Sequence, residues 1–138
     1  MKKMDIVIKI AIVAAVILIG YNISQVISAY ASVCDKVDEF KSLLAQSESS
    51  GASIRYSNFG LSLAMSVGVV LLSFFSGLVW WITLAVACKA AVTLFCSDAM
   101  VTRILREGRI SKNFFILTKV DSVFNVIFGL AFAIILVL

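Results

Sequence analysis

The chain has 138 residues, of which 62% are hydrophobic and 14% are charged, and its mean hydropathy is +1.07. Soluble domains usually carry about 25% charged residues, so this composition excludes an ordinary soluble domain and predicts an integral membrane protein. The net charge is +4, and the charged residues are concentrated in a few short segments, which indicates contact with a membrane surface and not with nucleic acid. We therefore expect a single membrane domain over residues 1–138.

The first predicted element is a membrane span at residues 8–33. Its charge-free run, 10–33, is longer than the roughly 7 to 15 residues of a signal peptide's apolar region, so we expect the span to be retained. Residues 34–57 are predicted as a polar loop. Its first part has apolar residues at helical spacing, which predicts that the helix continues out of the membrane as an amphipathic extension and stops in "SESSGAS".

The second and third predicted spans, 59–76 and 79–98, come from one long apolar segment. Between residues 59 and 97 the only charge is Lys89. As one straight helix this segment would be about 58 Å long, roughly twice the hydrocarbon thickness. A hairpin with its turn near Ser73–Gly77 solves the problem, because Gly77 can end a helix in the left-handed conformation. The alternative, three spans with one very long central helix, leaves "VGVVLLSFF" without apolar surroundings.

The last predicted elements are a basic loop at 103–113 and a span at 118–138. The loop's cations are expected to contact anionic lipid headgroups, and they are Arg103, Arg106, Arg109 and Lys112. The positive-inside rule then places both loops in the cytoplasm, although the basic start at Lys2 and Lys3 favours the opposite orientation. The predicted fold is an all-α four-span helical bundle in a membrane, with a bacterial cytoplasmic membrane as the expected location.

The residue inventory argues against catalysis. The sequence has no histidine, which excludes a Ser-His-Asp triad and an H-E-x-x-H zinc site, and it has no phosphate-binding G-x-x-x-x-G-K loop. Its three cysteines form no C-x-x-C pattern. An intramembrane carboxylate pair of Asp98 and Asp121 is a weak signal. We therefore expect no enzyme, no cofactor and no metal site.

Lys89 raises the functional question, because a lysine near the bilayer centre costs about 2.5–3.5 kcal/mol on insertion scales. Pairing the third and fourth spans across the basic loop brings Asn125 level with Lys89 and Asp121 about 6 Å nearer the loop. Asn22 and Gln25 add a polar strip on the first span. These residues predict a lysine that fixes helix register, a hydrated permeation path, or a charge that meets another subunit.

Small residues four apart also recur in the second span, a pattern that lets helices approach closely in lipid or self-associate: Ser62 and Ser66, Ala64 and Gly68, Ser73 and Gly77. The leading functional expectation is a non-enzymatic accessory or assembly subunit, or a self-associating membrane module. The alternative is a small channel, holin-like or transporter-like protein. The expected partners are the lipid bilayer, anionic headgroups, and a copy of the chain itself or another membrane protein.

Overall fold

A computed structural model describes residues 2–48 and 50–138, with side chains from residue 6 onward, so the side chains of Lys2 and Lys3 lie outside the described residues. It confirms the all-α four-span bundle, because four helices in the described part are long and apolar enough to cross a membrane. The three-span alternative is wrong. The helices are α1 (Lys2–Ile27), α2 (Tyr30–Gln46), α3 (Gly51–Phe75), α4 (Trp80–Glu107) and α5 (Lys112–Val137).

The four long helices pack as two antiparallel pairs. Close backbone packing joins α1 to α5 and α3 to α4, with a smaller contact between α1 and α3. At the α1/α5 contact, a Cβ built on Gly129 would lie 2.9 Å from Cγ1 of Ile19, which shows how closely the two helices approach. The sequence argument paired α4 with α5, but the backbone of α5 packs mainly on α1 instead.

The hairpin between α3 and α4 turns where the sequence predicts. Helix α3 ends at Phe75, Gly77 has a φ of 73°, and α4 begins at Trp80. Ser73 is fully buried at this turn, with its hydroxyl 3.3 Å from that of Thr83. Because the helices run antiparallel, this turn and the end of α5 lie at one end of the bundle. Helix α2 lies at the other.

The helix of the first span ends earlier than predicted. Helix α1 ends at Ile27, Ala29 is extended, and α2 starts at Tyr30, so the expected continuous helix is interrupted. The hydroxyl of Ser28 donates to the carbonyl of Ser24 at 2.7 Å, a local side-chain bond that competes with regular helix geometry. The interruption gives α2 a direction of its own, as an amphipathic helix separate from the span.

The two predicted loops are mostly helical. Most of 34–57 belongs to α2 and the start of α3, and most of 103–113 belongs to the ends of α4 and α5. Serine caps explain the longer helices, because the hydroxyl of Ser50 accepts from the N–H of Ser53 and that of Ser111 from the N–H of Phe114. Gly108, with a φ of 64°, ends α4.

Helix α2 lies across the ends of α4 and α5. Its Val37 is buried with Ile104, Ile110 and Phe114, and Val33 and Phe40 pack around them. The hydroxyl of Tyr30 donates to the carbonyl of Ile110 at 2.6 Å. The neighbouring Cys34 thiol raises the pKa of this phenol, which at neutral pH is protonated and able to donate even without that shift. The stripe that the sequence placed on α2 therefore packs on the protein itself.

Candidate functional site in the membrane core

A chain of polar side chains crosses the bundle from α4 through α5 to α1. We call it the central polar chain, and its members are Lys89, Asp121, Asn125 and Asn22. Lys89 lies nine residues after Trp80 at the start of α4, about 14 Å along the helix axis. That distance is near half the hydrocarbon thickness of about 30 Å, so the chain lies near the bilayer midplane if the tryptophans mark the interface.

An ion pair forms the first part of the central polar chain. The ammonium of Lys89 lies 2.7 Å from Oδ1 of Asp121 and 3.1 Å from the hydroxyl of Thr93. The two charged side chains are 20% and 21% exposed. The register argument gave Asn125 or Asp121 as partners, and the carboxylate is the group that lysine reaches. A flexible lysine side chain covers the turn that separates Asp121 from Asn125.

Two amides extend the chain to α1. The side-chain N–H of Asn125 donates to Oδ2 of Asp121 at 3.2 Å and to Oδ1 of Asn22 at 3.1 Å. Asn22 is 5% exposed, and its side-chain amide nitrogen donates to the backbone carbonyl of Leu18 at 2.8 Å. Since α1 and α5 form one helix pair and α4 belongs to the other, these contacts connect the two halves of the bundle.

Gln25, the remaining member of the predicted polar strip, lies apart from the central polar chain. Together with Thr118 and Ser122 it lines a small cavity of about 40 Å³ near the α2 end of the bundle. Asn22 and Gln25 therefore have different surroundings, although they are nearly one turn apart on α1. Both side chains face α5, but Asn22 lies at the level of Asn125, whereas Gln25 lies at the level of Thr118 and Ser122, nearer α2.

A crevice opens beside the ion pair, between α4 and α5. It has a volume of about 200 Å³ and is lined by Lys89, Asp121, Val92, Phe124 and Phe128. Val92 and Phe124 are 52% and 60% exposed, so the crevice opens on the outer face of the bundle. The gap exists because α4 and α5 pack their backbones on other helices.

A second ion pair lies at the α2 end of the α3/α4 hairpin. The Arg55 guanidinium makes a two-point contact with Asp98, because Nε and Nη2 donate to the two carboxylate oxygens at 2.9 and 2.7 Å. Beside it, Ser97 lies 3.3 Å from the amide of Asn58 and 3.4 Å from the hydroxyl of Ser62. We call Arg55 and Asp98 the boundary pair. Sequence reasoning missed it, since it considered Asp98 only as a weak carboxylate partner of Asp121 and left Arg55 in the predicted polar loop.

The four predicted headgroup cations all lie at the α2 end of the bundle and are exposed. The Arg103 guanidinium lies 4.7 Å from the centre of the Phe114 ring. Lys119, which the sequence argument placed at a boundary, lies 4.9 Å from the centre of the Phe115 ring. Arg106 is 3.6 Å from the carboxylate of Glu107. The surface is therefore basic and accessible, with some of its cations held over aromatic rings.

The described residues contain no group of three His, Cys, Asp or Glu side chains close enough together to hold a metal ion. Asp98 and Asp121 each contact a cation on another helix. The chain matches no protein-family model, no curated protein and no solved structure. The fold and the polar site define a multi-pass helical membrane protein.

Proposed function

We propose that this chain is a small non-enzymatic membrane protein that acts as an accessory or assembly subunit, or as a self-associating module. The central polar chain carries the proposal. Its ammonium and carboxylate neutralise each other, and its amides end on α1 inside the bundle, an arrangement suited to fixing how helices associate. The absence of histidine from the sequence and the cationic partners of Asp98 and Asp121 also favour a non-enzymatic role.

Native mass spectrometry of the protein, extracted gently from its own membrane, tests this proposal. We expect complexes that contain more than one polypeptide, either copies of this chain or this chain with another membrane protein. A protein that stays a single polypeptide in every mild detergent, and in lipid nanodiscs at native density, would contradict both forms of the proposal.

The second candidate is a small channel, holin-like or transporter-like protein. The crevice favours this candidate, because it gives access from the outer face of the bundle to the intramembrane pair of Lys89 and Asp121. Ion flux into reconstituted vesicles tests it. Flux that is lost in Lys89→Met protein shown by circular dichroism to remain folded would support a path past the ion pair. No flux at any protein density would exclude a pore.

Anionic lipid is the partner that the basic surface supports. A cation near an anionic membrane surface contributes about 1 kcal/mol, which is about fivefold in affinity. Changing Arg103, Arg106, Arg109 and Lys112 to glutamine should therefore reduce the anionic lipids that copurify with the protein. Lys36→Gln on α2 is the control, because Asp35, Asp38 and Glu39 are its neighbours in sequence, whereas the ammonium of Lys41 lies beside Gly108 of the basic segment. Equal retention by both variants would show that the basic surface does not select lipid.

For its location, we propose a bacterial cytoplasmic membrane, with the basic α2 end of the bundle in the cytoplasm. The positive-inside rule supports this orientation, since the α2 end carries most of the lysine and arginine residues. Single cysteines at Ser47 and Ser111, in a variant without the native cysteines, should then react with impermeant thiol reagents only from the cytoplasmic side. Labelling from the opposite side would reverse the orientation.

A further inference from the structure

The ion pair of Lys89 and Asp121 is incompletely enclosed within one copy of the chain. An ammonium has three N–H donors, and in the described residues Lys89 uses two, one to Asp121 and one to Thr93. Each oxygen of the Asp121 carboxylate accepts one hydrogen bond and has capacity for another. The crevice exposes this unused capacity toward the outer face of α4 and α5. Polar groups that face hydrocarbon are costly, so this face is suited to being covered.

The direction of the ion pair indicates what covers it. Lys89 belongs to α4 and Asp121 to α5, and their charged atoms are 2.7 Å apart, so the positive and negative ends lie side by side at nearly one depth. Copies of a membrane protein insert in the same orientation, so a two-fold axis that relates them runs along the membrane normal. Rotation by half a turn about that axis preserves depth and exchanges left with right. Each Lys89 then faces the Asp121 of the other copy.

We propose that two copies of this chain pair through the α4/α5 face, with their Lys89 and Asp121 side chains forming one four-charge cluster. The cluster has alternating signs, and it gives the unused donors and acceptors partners. Val92, Phe124 and Phe128 surround it with apolar and aromatic surface, which excludes lipid headgroups and water from the contact. This inference rests on the self-associating form of the proposed function, and it identifies the surface that self-association uses.

A charge exchange tests the inference without breaking the ion pair inside each copy. The exchanged variant carries Lys89→Asp together with Asp121→Lys. Two exchanged copies present alternating charges, as two wild-type copies do. A wild-type copy facing an exchanged copy instead places lysine against lysine and aspartate against aspartate. Like-charge contacts weaken association strongly, so we expect the mixed pair to associate at least about tenfold more weakly than either matched pair.

The measurement is energy transfer between donor-labelled and acceptor-labelled copies in vesicles. Transfer in the wild-type and exchanged matched mixtures, with loss in the mixed combination, supports the inference. Equal transfer in all three mixtures overturns it and leaves self-association standing through another face. No transfer between wild-type copies at any density removes self-association itself, and the inference with it.

A steric variant covers the case in which the exchanged protein does not fold. Val92→Trp fills the crevice, and Val67→Trp on α3 is its matched control, because the two valines are 52% and 48% exposed. The inference predicts at least a tenfold loss of association for Val92→Trp and little change for Val67→Trp. Equal association of the two variants would overturn it. A 1:1 complex with a different polypeptide on the α4/α5 face would also overturn it, by showing another occupant.

Discussion

The two interhelical ion pairs have similar chemistry, but they join different helices and lie at different depths in the bundle. The boundary pair joins α3 to α4, which already pack together and are consecutive in the chain. The pair of Lys89 and Asp121 joins α4 to α5, which lack close backbone packing in the described structure. Lys89 lies about 14 Å along α4 from Trp80, so tryptophans at the interface would place the pair near mid-membrane. Arg55 is 49% exposed and Asp98 is 19% exposed, whereas Lys89 and Asp121 are 20% and 21% exposed, so the pairs differ in the exposure of the cation.

We expect depth and connectivity to determine what each ion pair contributes to stability. At the boundary, water and headgroups can solvate whichever of the two charges remains when its partner is lost, so the pair adds to a contact that exists without it. Near mid-membrane a charge without its partner has no such substitute. The central ion pair is also a direct polar link between the two helix pairs. We therefore expect the two ion pairs to differ in the cost of removing one partner.

The largest effect is expected for Lys89→Met, which leaves Asp121 without its cation. Removing one partner of a buried ion pair typically costs about 3–5 kcal/mol, so the free energy of unfolding should fall by about that amount. Lys89→Met with Asp121→Leu should lose less than the sum of the single changes, because no orphan charge remains. Denaturant titration of the monomer in mixed micelles measures all four proteins. Strictly additive losses would show that the two charges do not stabilise each other.

The pairing of Lys89 with Asp121 could be predicted from sequence, because the helical rise of about 1.5 Å per residue indicates which residues of two antiparallel helices lie at the same depth. The α3/α4 hairpin was accessible as well, because residues 59–97 are too long for one span and contain a single charge. The same arithmetic could not show which helices pack by their backbones. It placed α5 against α4, whereas the close approach at Gly129 joins α5 to α1.

Hydropathy alone could not predict three features of the structure. They are the boundary pair, the interruption between α1 and α2, and the extra length of the helices. Asp98 faces away from Lys89, and finding Arg55 required knowing how α3 aligns with α4. The interruption after α1 has no proline or glycine to mark it, only Ser28 and its neighbours. In contrast, Ser50 and Ser111 are recognisable N-cap residues, so the starts of α3 and α5 could have been predicted from local sequence.

An intermediate effect is expected at the contact that positions the amides of the central polar chain. A methyl group at Gly129 would meet Ile19 of α1 at 2.9 Å, so Gly129→Ala should push α1 and α5 apart and lengthen the bond between Asn22 and Asn125. Gly20→Ala is the matched control, because a Cβ there meets nothing within 4 Å. We expect Gly129→Ala to be less stable than the control by about 1–3 kcal/mol. Equal thermal stability of the two variants would show that Ile19 adjusts without cost.

The smallest effect is expected at the boundary pair. Because half of the Arg55 side chain is exposed, Arg55→Ala should lower the free energy of unfolding only slightly, as for other exposed ion pairs. Arg55→Lys keeps the charge but loses the two-point contact with Asp98, so its free energy of unfolding should lie between those of wild type and Arg55→Ala.

Salt should distinguish the two ion pairs further. Raising ionic strength from about 0.1 to 1 M shortens the screening length from about 10 to 3 Å, which should reduce the difference between wild type and Arg55→Ala. The difference between wild type and Lys89→Met should persist, since ions do not enter the hydrocarbon region. Equal salt sensitivity of the two differences, measured in the same denaturant titration, would mean that the central ion pair is as accessible to water as the boundary pair.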